Sequence, residues 1–207
     1  MTDLFAQADA GLEQLPLPDA DVRFRRDVYP AQYCSMLLRE LVTATDWRHE
    51  QITLFGKQHW QPRLVAAHGD AGLVYTYSGL TLPMQPWTAL LAQLRQDIEQ
   101  IAGVCFNSVL LNWYRDEHDS MGWHSDDEAS LGPAPVIASF SLGATRVFKL
   151  KHKTRPELKT TTIALTDGSL LLMAGATQRC WKHAIDKSRT ACDARINLTF
   201  RRIVHGS

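Results

Sequence analysis

The segment Arg195-Ile196-Asn197-Leu198-Thr199-Phe200-Arg201 alternates apolar and polar residues without a break. Period two is the pattern of a β-strand with two unlike faces, Ile196, Leu198 and Phe200 on one and Arg195, Asn197, Thr199 and Arg201 on the other. Moving outward from it, short β-branched or aromatic runs precede it at 104–114, 136–142, 146–150, 160–165 and 169–174, and the last run extends over 195–203. Turn-rich stretches such as Leu131-Gly132-Pro133 and Thr166-Asp167-Gly168 separate them. Many short strands without intervening helices predict an antiparallel barrel or jelly roll. Two helices are predicted upstream and are expected to pack outside it. One runs from Pro30 to about Ala44, where Pro suits the first turn and Tyr33, Leu37, Leu38 and Leu41 recur at helical spacing; the other runs from about Trp87 to Ala102 and is closed by Gly103. The fold class is α+β, mainly β.

A chain of 207 residues with 45% apolar residues can bury roughly 70% of its unfolded surface in one core. One domain is therefore expected over 21–207, after an acidic, weakly patterned lead-in at 1–20. The longest apolar run, 170–176, is far short of the roughly 20 residues that span a bilayer, so no membrane partner is expected. Asp3 stands where a secretory signal would be basic, which leaves the cytoplasm as the expected location. Cys34, Cys105, Cys180 and Cys192 form neither a C-x-x-C pair nor a zinc spacing and read as reduced thiols. Lys+Arg and Asp+Glu are both 22, which by itself argues against a nucleic-acid partner. The distribution differs: residues 1–100 carry a net charge of −4 and residues 101–207 a net charge of +4. Arg146, Lys149, Lys151, Lys153, Arg155 and Lys159 cluster in the second half, either as a solvated hairpin or as a phosphate-contacting patch.

His124-Ser125-Asp126 puts a His and an Asp on one face of an extended segment. With a distant His this makes the two-histidine, one-carboxylate triad that holds Fe(II) and leaves positions open. Eight His and fifteen Asp in this chain supply about 0.6 such pairs by chance, so the pair needs support. His183 is the best third ligand, because it follows the apolar run 169–174 and precedes another strand; His152 lies in the basic cluster and His205 in the polar tail. The polar face of 195–201 is either the wet side of a structural strand or a clamp. Arg195 and Arg201 lie about 20 Å apart along an extended strand, and two guanidinium forks tilted toward each other suit the ends of a small dicarboxylate. Asn112 and Tyr114 fall on one face of the strand that begins near Cys105 and offer neutral hydrogen-bond donors. An Fe(II) triad beside a dicarboxylate clamp points to 2-oxoglutarate. A zinc hydrolase using the same triad leaves the two arginines unexplained, and a non-catalytic jelly-roll binding module makes the H-x-D accidental.

The chain resembles the AlkB-type Fe(II)/2-oxoglutarate-dependent dioxygenases that repair alkylated nucleic acids. The resemblance covers residues 50–203. It rests on Phe55-Gly56-Lys57, Pro62-Arg63, Tyr75-Thr76-Tyr77-Ser78-Gly79, Asn112-Trp113-Tyr114, Gly122-Trp123-His124-Ser125-Asp126-Asp127-Glu128, Ser139-Phe140-Ser141-Leu142-Gly143-Ala144-Thr145-Arg146, His183 and the 195–201 strand. It implies a double-stranded β-helix (jelly roll) with its core at 104–203 and a nucleotide-recognition lid at 50–86. It implies His124, Asp126 and His183 as iron ligands, Arg195 and Tyr114 at the distal carboxylate of 2-oxoglutarate, Arg201 and Asn112 near its chelating end, and Asn197 as a further contact. Tyr77 would stack on the damaged base opposite His124, Tyr75 would make a polar contact, Glu128 would read the exocyclic amine, and Phe55 would fill the gap left by an extruded base. The implied reaction is O2-dependent oxidative demethylation of 1-methyladenine and 3-methylcytosine in alkylated DNA, or the same chemistry on RNA or another substrate, by a monomer. Two departures bear on affinity and substrate range: His68 stands where relatives often carry an aromatic, and the N-terminal half is acidic.

Overall fold

The structure, a computed structural model, describes residues 11–54, 56–77 and 80–204. In chain order its elements are β1 (Glu13–Gln14), β2 (Asp21–Arg25), α1 (Ala31–Ala44), β3 (Gln51–Leu54), β4 (Lys57–Trp60), β5 (Leu64–Gly69), β6 (Tyr75–Tyr77), β7 (Leu80–Leu82), α2 (Ala89–Ala102), β8 (Ser108–Tyr114), β9 (Met121–His124), β10 (Ile137–Gly143), β11 (Arg146–His152), β12 (Thr161–Leu165), β13 (Leu170–Ala174), α3 (Thr177–Cys180), β14 (Trp181–Ile185) and β15 (Arg195–Arg201). A seven-stranded sheet of order β1-β2-β13-β10-β15-β8-β5 faces a four-stranded sheet of order β12-β11-β14-β9. The pairings within both are antiparallel, and the two sheets with their interior core make the jelly roll. The hairpins β3-β4 and β6-β7 stand apart as two-stranded ribbons.

Both faces of the large sheet are covered, which settles how β15 is used. Ile196, Leu198 and Phe200 join Leu37 and Leu41 of α1, Leu91, Leu94 and Ile98 of α2, and Phe140 and Leu142 of β10 in one apolar cluster. A second cluster fills the space between the sheets, with Leu110, Tyr114, Phe148, Leu150, Ile163, Leu165, Leu171 and Met173. Every residue of β15 is buried, so its polar face lines the interior and does not meet water. At about 1.5–3 kcal/mol per fully buried Leu, Ile or Phe, the helix-side residues hold the strand in register while its polar residues face inward.

The helices begin and end where chain chemistry dictates. Thr88 caps α2 by accepting from Leu91 N at 3.2 Å, and Gly103 ends it at φ +70°. Gly143 ends β10 at φ +86°, where an added Cβ would lie 2.3 Å from Ala194 O. Among the described residues no helix is long and apolar enough to cross a membrane.

Three expected boundaries move. Residues 11–20 are not a lead-in: β1 pairs with β2, Leu15 and Leu17 pack on the interior cluster, and Trp181 donates its indole N–H to Pro18 O at 2.9 Å. The core extends beyond 104–203, because β2 contributes Val22 and Phe24 to the interior. It also takes β5 from within the span expected for the lid, since Leu64-Val65-Ala66-Ala67 puts apolar residues on both faces and suits a doubly covered sheet edge.

Candidate active site

The small sheet brings the triad together. On adjacent strands β9 and β14, His124 pairs directly with His183, and the register breaks between His183 and Ile185. The two rings lie 4.2 Å apart between centroids. Asp126 follows β9 by two residues, and its backbone N–H is fixed by the side-chain oxygen of Gln178 at 2.9 Å. One ligand atom from each of His124, Asp126 and His183 lies within 4.8 Å of the others, a separation that an ion between them can bridge.

Protonation at the triad follows from burial and neighbours. Burial, then the nearby His124 ring, pushes the His183 imidazole down to about 3. His124 is also lowered, chiefly by burial. Burial alone would raise Asp126, but the Arg201 guanidinium followed by the two imidazoles hold it at about 2. Near neutral pH the site therefore offers two neutral imidazoles and one carboxylate, the deprotonated forms a metal requires. His124 Nδ1 lies 2.8 Å from Gly122 O, so Nδ1 carries the proton and the Nε2 lone pair is left open. Arg201 Nη2 donates to Asp126 Oδ1 at 2.8 Å, which leaves Oδ2 facing the imidazoles, 3.8 Å from His183 Nε2.

Across the interior, Arg195 is 1% exposed. Its Nη2 donates to Ser141 Oγ at 3.0 Å, and its guanidinium lies 5.0 Å from the centre of the Tyr114 ring. Nε and Nη1 are buried and meet no acceptor in good hydrogen-bond geometry among the described residues, with the Tyr114 side chain close enough to favour the charged guanidinium. Leaving two donors of a buried cation unmet is costly unless a ligand completes them. The same cavity is lined by the triad, Asn112, Tyr114, Arg195, Asn197 and Arg201. A buried cation with open donors facing a His-Asp-His group fits a small dianion held beside a metal.

Residues 21–201 match the 2OG-Fe(II) oxygenase superfamily. The chain belongs to that superfamily. Within it the chain is of AlkB type: it is 43% identical over 175 residues to the rat alpha-ketoglutarate-dependent dioxygenase alkB homolog 3, covering 81% of this chain and 59% of that protein. It is 41% identical over 160 residues to the mouse DNA oxidative demethylase ALKBH2, covering 74% of this chain and 67% of that protein. The chain thus spans about three fifths of the length of several relatives it matches. A solved structure of OsALKBH1 superposes with a TM-score of 0.64 at 18% identity, covering 91% of this chain and all of the other, and shares the fold. The superfamily implies Fe(II), 2-oxoglutarate and O2 as the reactive partners.

In this AlkB-type oxygenase the remaining expected residues divide. Asn112 and Tyr114 of β8 pair across to Asn197 and Arg195 of β15, so all four share the interior face. Asn112 Oδ1 accepts from Arg63 Nε at 2.7 Å. Asn197 donates to Ser139 Oγ at 2.8 Å and Phe140 O at 3.0 Å and accepts from Thr199 Oγ1 at 2.8 Å, so its amide is engaged in shaping the cavity wall. Glu128 is half-buried, with Oε2 lacking a partner among the described residues, and its carboxyl is raised, chiefly by burial and then by Asp126 and Asp127. Phe55 lies outside the described residues. Tyr75 and Tyr77 lie on β6, paired with Leu82 and Leu80, with side chains outside the description.

The basic cluster of the AlkB-type oxygenase is largely neutralised where it stands. Arg146 is buried and donates to the backbone carbonyls of Asp116, Asp119 and Asp186, tying loops to β11. Lys149 pairs with Asp186, Lys153 with Asp127, and Arg155 with Glu157 and Asp19. Arg146 is therefore withdrawn from the surface, whereas Lys149, Lys153 and Arg155 stay at it in ion pairs and Lys151 and Lys159 are exposed. Two site residues escaped sequence reading. Arg63, in the quoted Pro62-Arg63, is 2% exposed and bonds Asn112; Gln178 is 2% exposed and holds Asp126 N–H. A polar residue placed on a short element between two apolar strands was the available signal for Gln178.

Proposed function

We propose that this AlkB-type oxygenase removes methyl groups from N-alkylated bases in DNA, with 1-methyladenine and 3-methylcytosine as substrates. The oxygenase chemistry in this reading is supported by one observation: the His-Asp-His group shares a cavity with a buried Arg195 whose Nε and Nη1 meet no acceptor among the described residues. The substrate class is supported by relatives named as DNA oxidative demethylases. When bound, Fe(II) with 2-oxoglutarate and O2 supplies oxidation that turns 2-oxoglutarate into succinate and CO2 and a methyl group into formaldehyde. His124 Nε2, His183 and Asp126 Oδ2 would hold the metal, and Arg201 keeps Asp126 ionised and turned toward it. Arg195 would meet the far carboxylate of 2-oxoglutarate with two donors, and the ring of Tyr114 beneath it would keep the fork in plane.

The methyl groups in question lie on the pairing edge of a base, so the base must leave the duplex to reach the cavity. Alkylation lowers the few kcal/mol that flipping requires, since pairing is already lost. A methylated base is cationic and favours the Glu128 carboxyl beyond Asp126. The test is to incubate protein with Fe(II), 2-oxoglutarate and O2 and oligonucleotides bearing either lesion. Loss of one methyl by mass, abolished in His124→Ala and in Arg195→Ala, is expected. Succinate formation with no methyl lost from any oligonucleotide refutes the substrate while keeping the oxygenase.

A further inference from the structure

Trp60 of β4 is 59% exposed, the largest aromatic surface left to solvent among the described residues, and it is not loose. The ring of His49 lies against it at 4.7 Å between centroids and 34° between planes. His49 is itself tied by Nε2 to Gln61 O at 2.9 Å, and Gln61 N donates to Glu50 O at 2.9 Å, so the pair is braced by both strand ends of the β3-β4 ribbon. An exposed indole in a soluble chain is ordinary; an exposed indole with one side propped by a second anchored ring is a preformed stacking surface. Its place in the chain matters. Three residues on, Arg63 reaches Asn112 in the catalytic cavity, and Pro62 O accepts from Ser120 N, the residue before β9. The ribbon carrying Trp60 is therefore joined to the strand that carries His124. Lys57, Gln58 and His59, on the same strand, are all exposed.

We propose that Trp60, propped by His49, is a stacking platform for an unpaired nucleobase flanking the one in the active site. The proposal rests on the nucleic-acid reading above. Charge selects the occupant. The chain has no net charge, Arg146 is held inside by backbone carbonyls, and Lys149, Lys153 and Arg155 have carboxylates beside them, so overall charge gives no strong pull on phosphate and a base contact adds what charge does not. A base presents a π-face whatever its sequence, and Lys57 on the same strand suits the strand's backbone charge. A protein partner would want a wider apolar surface than one indole beside polar neighbours.

The test measures binding of fluorescein-labelled single-stranded oligonucleotides by the Mn(II)- and 2-oxoglutarate-loaded protein. Trp60→Ala is expected to weaken binding about tenfold to a hundredfold, the range stacking of one base supplies, with Trp60→Phe keeping most of it. Replacing single nucleotides by abasic sites should reveal one position, outside the target base, whose loss weakens the wild type but not Trp60→Ala. The dependence on salt should be the same in both, because no phosphate contact is removed. Unchanged melting of Trp60→Ala separates the effect from misfolding, as an exposed side chain allows. Wild-type binding that Trp60→Ala leaves intact, or an abasic scan identical in the two proteins, overturns the platform alone. Trp60→Ala that disrupts a dimer without altering oligonucleotide binding overturns it in favour of self-association. If the wild type binds no oligonucleotide, the nucleic-acid reading falls and the platform with it.

Discussion

Replacing Arg195 by Met should make the empty protein slightly more stable and abolish its response to 2-oxoglutarate. Arg195 is buried, one of its nitrogens bonds Ser141 at 3.0 Å, and two have no partner among the described residues. Two unmet buried donors cost about 2–6 kcal/mol at about 1–3 each. Against this, the variant loses the Ser141 bond, about 1.5–3 kcal/mol for a charged donor, and the contact with the Tyr114 ring, up to about 2. The balance favours Met by about 1 kcal/mol, or about 2–4 °C in Tm for a chain of this size. Ligand reverses the order. A hundredfold excess of 2-oxoglutarate over its Kd, with Mn(II) in place of Fe(II), stabilises the wild type by about 2.7 kcal/mol, and the variant should not respond. Differential scanning fluorimetry with and without 2-oxoglutarate reads both effects. A variant raised by 2-oxoglutarate as far as the wild type refutes the assignment of Arg195 to the cosubstrate, and an empty variant that melts several degrees lower refutes the cost assigned to its unmet donors.

Gln178→Leu removes the acceptor of Asp126 N–H and should weaken Mn(II) binding about tenfold to a hundredfold by calorimetry, as losses behind a metal ligand do; unchanged affinity would show that the Asp126 backbone needs no such support. The Asp119 carboxyl is lowered: burial would raise it, but hydrogen bonds from the Arg115 side chain and backbone outweigh that. A depressed folded value means the stability it contributes is full above the unfolded value of about 4 and is lost as pH falls through the lower folded value. Urea titrations should show Asp119→Asn less stable than wild type at pH 7 with the gap closing below pH 4, whereas a gap constant with pH would assign the loss to packing. Gly143→Ala forces a side chain into φ +86° and onto Ala194 O, and should cost at least about 2 kcal/mol in chemical denaturation; a wild-type midpoint would mean that the turn before β11 can relax.

The strand 195–201 was legible because period two survives any packing, and the same reading sorted Arg195, Asn197, Thr199 and Arg201 onto one face. What that face meets was not legible. A wet face and a buried polar interior have the same alternation, and the helices covering Ile196, Leu198 and Phe200 come from residues 31–102. The boundaries at 1–20, 104–203 and 50–86 slipped for a related reason, since β1, β2 and β5 are strands by virtue of the partners they find in an existing sheet. Arg146 read as a surface cation within its cluster, but three carbonyls from two loops take its guanidinium inside.

By itself the sequence determined the residue types: an H-x-D pair, a later histidine and two arginines in one strand, each a local property of side chains and spacing. Only the tertiary structure decided that they share one cavity. His124 and His183 are 59 positions apart in the chain and meet because β9 and β14 are neighbours in the small sheet. Arg201 meets Asp126 because the two sheets face each other across the interior. Proximity across a barrel is set by sheet order and closure, which depend on the burial of the whole chain at once and leave no periodic trace at the residues they bring together.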